Sequence, residues 1–248
     1  MTMQSRIDGA AGAKPLDIKL FLDGAEIAPM KAAYAERTVS GFTTNPTLMR
    51  KAGIADYEAF AREAIAAIPD MPISFEVFSD DFDSMEKEAR KIASWGGDTY
   101  VKIPITDTKG QSACALIKKL SDEGVSLNVT AIMTPDQVRD VAAAINPQSR
   151  TIVSVFAGRI ADTGVDPVPL MASYARMLAD NPNAELLWAS PRELLNVFHA
   201  VEAGCHIITA TKDIVAKMAL VGKDLRAYSL ETVQMFYNDA CAAGFKIL

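Results

Sequence analysis

The sequence is poor in the residues that build metal sites and disulfide frameworks. Its 248 residues include two histidines, His199 and His206, and three cysteines, Cys114, Cys205 and Cys241. None falls at a ligand spacing and there is no CxxC, so a zinc site and a disulfide scaffold are both excluded. Reduced thiols in a cytoplasmic protein are expected, with no metal and no cofactor. A basic excess is missing too. Lys and Arg number 25 against 31 Asp and Glu, a net charge of −6, which argues against a nucleic-acid partner. No apolar run approaches the roughly 18 residues of a membrane span. The opening residues lack the apolar core of a signal peptide, so no membrane partner is expected.

Half of the residues are hydrophobic, and they are arranged in a regular rhythm. Short β-type runs begin near residues 18, 39, 73, 99, 125, 151, 184 and 206. Each is followed by a helical pattern; Thr134-Pro135, for example, reads as an N-cap with proline at the first helical position. Eight such units in about 200 residues predict an α/β fold, a single (β/α)8 TIM barrel. The rival is a doubly wound open sheet, but no GxGxxG follows the first strand. The reading gives a flexible N-terminal extension over 1–17, a barrel over 18–222 and an extra C-terminal helix in a tail over 223–248. That helix, around 229–244, either caps the barrel or reaches a second copy of the chain.

In a strand, residues i and i+2 share a face. Barrel interiors are normally apolar, and chemistry collects at the C-terminal strand ends. Polar residues at those ends are therefore informative. They are Asp23 on the first strand, Thr44 and Asn45 on the second, Glu76 on the third and Lys102 on the fourth. Asn128 and Thr130 form an i/i+2 pair on the fifth. Ser154, Phe156 and Arg159 come from the sixth strand and its end, and Ser190 and Arg192 from the end of the seventh. Most have ordinary explanations: Asp23 as a turn residue or cap, Thr44-Asn45-Pro46 as a turn into a helix, Glu76 as a surface carboxylate, Ser190 as an N-cap. Lys102, in the run Tyr-Val-Lys-Ile-Pro-Ile, is harder to explain away. A closed barrel has no solvated edge, so this lysine points inward or snorkels between helices.

A lysine surrounded by hydrocarbon is pushed toward its neutral amine. Such an amine attacks carbonyls and forms a Schiff base. The protonated imine is an electron sink that lets a C–C bond break or form. Carboxylates in different environments supply the proton transfers, and arginines beyond the strand ends suit a phosphate. The residues suggest a class I aldolase-type reaction on a phosphorylated sugar. On this reading Val101, Ile103 and Ile105 hold the barrel closed around the amine.

The segments FLDGAEI, GFTTNPTLM, YVKIPIT, NVTAIM, VSVFAGRIAD, WASPRE and AGCHIIT resemble, in that order, those of the transaldolases. The length is similar to that of the short-chain members, which include fructose-6-phosphate aldolases. The resemblance implies that Lys102 is the Schiff-base lysine and Asp23 the acid/base at the C4 hydroxyl. It implies that Glu76 and Thr130 activate the catalytic water. Asn45 and Asn128 are implied to hold substrate hydroxyls, Ser154 to sit near the C1 hydroxyl, and Thr44 to line the pocket. Arg159, Ser190 and Arg192 are implied to grip the phosphate. Fructose-6-phosphate aldolases typically carry glutamine and tyrosine where this chain has Glu76 and Phe156, so both positions favour transfer. The expected partners are sugar-phosphate substrates and, through the C-terminal helix, further copies of the chain. Lys212, in ITATKDIVAKM, departs from the family pattern and reads as a surface residue or an added anion contact. An aldolase-like lyase, a transaldolase for an unusual sugar and a non-catalytic sugar-phosphate binding barrel are the alternatives.

Overall fold

Eight parallel strands close into a barrel in sequence order in the computed structural model, which describes residues 16–247. Residues 1–15, most of the expected extension, lie outside the described residues. The strands are β1 (Lys19–Asp23), β2 (Gly41–Thr43), β3 (Ile73–Glu76), β4 (Thr99–Pro104), β5 (Leu127–Ile132), β6 (Thr151–Val155), β7 (Ala184–Trp188) and β8 (Ile207–Ala210). Helices fill the crossovers: α1 (Ile27–Ala35), α2 (Pro46–Lys51), α3 (Tyr57–Ala67), α4 (Phe82–Ala93), α5 (Cys114–Asp122), α6 (Pro135–Ala144), α7 (Ala157–Asp162), α8 (Pro167–Met177), α9 (Leu195–Glu202) and α10 (Lys212–Ala216). A longer helix, α11 (Leu225–Ala243), follows.

Local chemistry sets many of the helix starts. Asp56, Asp81, Asp166 and Asp224 accept backbone N–H bonds as N-caps of α3, α4, α8 and α11. Thr134 and Gln137 form a reciprocal capping box on α6, with Pro135 behind the cap as expected. The single helical segment expected after β2 is two helices, because Gly53 takes a left-handed φ of 70° after α2 and Asp56 restarts the chain. The sixth strand is shorter than its apolar run. It ends at Val155, and Arg159 lies on α7.

Side-chain alternation divides the barrel into two apolar regions. Val101, Ile103, Ile105 and Val129 face the helices and belong to the main core. The expected role of the first three around the amine is thus corrected: they seal the barrel wall from outside. Phe21, Tyr100, Ile152, Leu187 and Ile207 form a separate inner cluster. That cluster is the floor of the barrel, one residue pair below the polar ends. Gly41 belongs to this floor. A Cβ there would lie 2.6 Å from the Phe21 ring and 2.8 Å from Pro72, so only glycine lets the ring lie across β2.

In α11 no residue is buried. Leu225, Leu230, Val233, Phe236 and Tyr237 are exposed, so the helix does not cap the barrel of its own chain.

Gly41→Ala is expected to overpack the floor and cost about 1–3 kcal/mol. At roughly 2–4 °C per kcal/mol for a chain of this size, thermal unfolding should show a Tm several degrees lower.

Candidate active site

The inward residues at the C-terminal strand ends form one polar layer above the apolar floor. Register builds it: Glu76 pairs with Lys102, and Lys102 with Asn128, across β3, β4 and β5. Lys102 is buried, with 6% of its surface exposed. Its Nζ lies 3.0 Å from Glu76 Oε2 and donates to the Thr44 carbonyl at 3.0 Å. The lysine therefore points inward, as expected, but not into hydrocarbon. It sits in a polar clamp, and a carboxylate touching its ammonium offers a direct route for the proton that must leave before the nitrogen can attack a carbonyl.

Asp23 ends β1 on the same layer. Its Oδ1 accepts a hydrogen bond from Thr43 Oγ1 at 2.8 Å, and Asn45 Nδ2 approaches both carboxylate oxygens at 3.4–3.5 Å. Burial pushes the Asp23 carboxyl above its ordinary range; Lys102, Thr43 and Asn45 oppose that shift and Glu76 adds to it. A carboxyl held up in this way is suited to exchange protons with a substrate hydroxyl. Asn45 does two things at once. Its Oδ1 caps α2 by accepting from Leu48 N at 3.0 Å, which fixes the amide with its Nδ2 toward Asp23.

Asn128 is held from both sides. Its Nδ2 donates to Ser74 Oγ at 2.9 Å and its Oδ1 accepts from Ser154 Oγ at 2.7 Å. Thr130 is 2% exposed, and among the described residues its hydroxyl has no partner, which suits it to bond a bound molecule. A bulge follows immediately. Val129 pairs with Val153 but Ile132 with Val155, and Ala131 carries a φ of 62°. The extra residue returns Ile132 to the outer core instead of the barrel interior.

Thr44 is the position where strand parity was misread. Its hydroxyl bonds the Ser74 carbonyl at 2.8 Å, and only its backbone oxygen faces Lys102. The inward hydroxyl of β2 is Thr43. Sequence reasoning also missed Ser74 and Thr209, the inward polar partners on β3 and β8. Their i/i+2 relation to Glu76 and to Ile207 was the available signal.

The phosphate candidates lie further out. Phe156 packs against the inner cluster, and the Arg159 guanidinium sits 5.5 Å from its ring centre. Arg192 Nε donates to Asp162 Oδ1 at 2.9 Å, and a second bond from Nη2 makes the pair bidentate. Asp162, not anticipated from sequence, is held below the usual carboxylate range by Arg192 first and by Arg159. Ser190 caps no helix, since α9 begins at Leu195. It adopts φ 58°, and a Cβ on Gly158 would come within 1.6 Å of its carbonyl oxygen. Glycine at 158 thus lets the turn after β7 rest on the start of α7, which brings Ser190 and Arg192 toward Arg159. Lys212 is exposed as the first residue of α10. Among the described residues no cluster of His, Cys, Asp or Glu could hold a metal, and no helix is long and apolar enough to cross a membrane.

Comparison with known proteins shows the family of the chain. A family model described as transaldolase/fructose-6-phosphate aldolase matches residues 20–247. A "probable transaldolase" of Dehalococcoides mccartyi is 33% identical over 202 residues, covering 81% of this chain and 90% of the relative. One of the same description from Streptococcus pyogenes serotype M5 is 37% identical over 202 residues, with the same coverages. Among solved structures, a dihydrodipicolinate synthase of Rhodopseudomonas palustris superposes with a TM-score of 0.57 at 14% identity, over 92% of this chain and 81% of that one. That likeness concerns the barrel fold alone.

The raised carboxyl makes a stability prediction. A group whose folded pKa lies above its unfolded value stabilises the fold below the unfolded pKa and loses that contribution as pH rises through the folded pKa. Asp23→Asn should therefore be more stable than the parent at pH 8, on the order of 1 kcal/mol or a few degrees in Tm. The difference should shrink as the pH falls toward 4, checked by thermal unfolding across that range.

Proposed function

The chain belongs to the transaldolase and fructose-6-phosphate aldolase family, and on that basis we propose that it is a transaldolase acting through a Schiff base on Lys102. The carrying observation is the Lys102 Nζ held between Glu76 Oε2 and the Thr44 carbonyl inside the polar layer. Lys102 gives a proton to Glu76 and attacks C2 of a ketose phosphate. Loss of water from the carbinolamine, assisted by Glu76 and the unpartnered Thr130 hydroxyl, gives the iminium. Asp23 takes the C4 hydroxyl proton. The C3–C4 bond breaks, its electrons move onto the iminium to form an enamine, and an aldose phosphate leaves. The enamine then adds to the aldehyde carbon of a second aldose phosphate, Asp23 returns its proton to the new C4 oxygen, and hydrolysis of the iminium frees the lysine.

Asn45 and Asn128 orient the dihydroxyacetone hydroxyls, with Ser154 at C1. Arg159, Ser190 and Arg192 receive the phosphate, for which Arg192 exchanges Asp162. Sedoheptulose 7-phosphate or fructose 6-phosphate is the donor, as in the cytoplasmic pentose phosphate pathway. Phe156 has no hydroxyl with which to hold a water near the enamine, and Glu76 has the basicity that an amide lacks. Both support transfer over release of free dihydroxyacetone. The exposed apolar residues of α11 support assembly into a homo-oligomer, because an isolated helix with nothing to pack against is marginal in water.

With fructose 6-phosphate as donor, product should form quickly only when an aldose phosphate acceptor is present. Free dihydroxyacetone accumulating at a similar rate without acceptor would make the protein a lyase. Phe156→Tyr should raise that acceptor-independent release severalfold in the same assay. Light scattering should report several copies per particle, falling when Val233 and Phe236 are both changed to Glu; a parent monomer would contradict the assembly.

A further inference from the structure

Thr209 is a buried polar residue, 6% exposed, in an otherwise apolar strand. It lies on β8, opposite Phe21 in register, with its hydroxyl turned to the barrel interior. The partner of that hydroxyl is not a backbone carbonyl. Thr209 Oγ1 and Thr43 Oγ1 are 2.5 Å apart, and Thr43 Oγ1 lies 2.8 Å from Asp23 Oδ1. An ionised carboxylate only accepts, so Thr43 must donate to it. A hydroxyl has one proton, so Thr43 must then accept from Thr209. The direction of the chain follows: Thr209 to Thr43 to Asp23, across β8, β2 and β1.

We propose that Thr209 is a positioning residue for Asp23, acting through Thr43 to hold the carboxylate in its acceptor state and orientation. The proposal rests on the reading of Asp23 as the proton-transfer group. A donor at the far end of the chain polarises the middle hydroxyl and strengthens its bond to the carboxylate. It also fixes a rotor that would otherwise turn. The charged groups facing Asp23 are Lys102 on β4 and Glu76 on β3, and the neutral amide of Asn45 closes the remaining side. Thr43 works alongside Lys102 and Asn45 against the effect of burial. Thr209 reaches Asp23 only by way of Thr43.

The test uses Thr209→Val, which keeps the shape and removes the hydroxyl, and Thr209→Ser, which keeps the hydroxyl. The acid limb of kcat/KM for ketose-phosphate cleavage should move up by about 0.3 pH unit or more in Thr209→Val and return to the parent position in Thr209→Ser. A second readout does not depend on the reaction. The Tm loss caused by Thr209→Val should be larger at pH 8 than at pH 4, because only the ionised carboxylate requires Thr43 as its donor. That pH dependence should vanish in an Asp23→Asn background. An acid limb unmoved in Thr209→Val would overturn the proposal, as would a Tm loss independent of pH or of the residue at 23. Were the parent to catalyse no cleavage, the assigned reaction would fail while the unfolding cycle still decided the role of Thr209.

Discussion

The contact between Lys102 and Glu76 inside a closed barrel is the constraint on which the rest of the site depends. A buried charge without a partner is prohibitive, and a barrel strand has no edge where a lysine could reach water. Glu76 and the Thr44 carbonyl satisfy the ammonium. Asp23 then faces the same layer as a second carboxyl, with one lysine shared between two acids. Burial of that second acid raises its pKa, and hydroxyls and amides gather around it. A floor of Phe21, Tyr100, Ile152, Leu187 and Ile207 closes the layer from below, leaving the C-terminal face as its opening.

Holding such a layer together costs stability, and the cost is spread over several strands. Breaking a buried pair by removing one partner is strongly destabilising, so the lysine and the glutamate depend on each other. The network from Ser74 through Asn128 to Ser154 spans β3, β5 and β6. It fixes an amide that would otherwise rotate freely beside the lysine. The outer arginines follow a looser rule. Arg192 and Asp162 are about half exposed, and exposed pairs contribute little to stability. Their pairing can therefore be exchanged for another anion at small cost.

The barrel was legible because apolar runs recurred at a spacing that only strand–helix units produce. The inward direction of Lys102 followed from the lack of an edge, and strand parity found Asp23, Glu76, Asn128, Thr130 and Ser154. Parity failed at Thr44, where two consecutive threonines offered the same chemistry and only one of them could face inward. Thr43, Ser74 and Thr209 escaped notice because short hydroxyl side chains are common in strands. Their significance lies in cross-strand distances that depend on register. The same limit hid the pairing of Lys102 with Glu76, and so hydrocarbon was expected where a carboxylate stands. Asp162 and Gly158 were invisible for a related reason: one matters through a salt bridge, the other through the close approach of a distant turn.

The central claim is that Lys102, within this clamp, is the nucleophile. Borohydride reduction in the presence of fructose 6-phosphate, followed by peptide mass spectrometry, tests it most directly. A reduced dihydroxyacetone adduct should appear on the peptide containing Lys102 and be absent from a folded Lys102→Ala variant. An adduct confined to Lys109 or Lys212, or no adduct at all, would contradict the account.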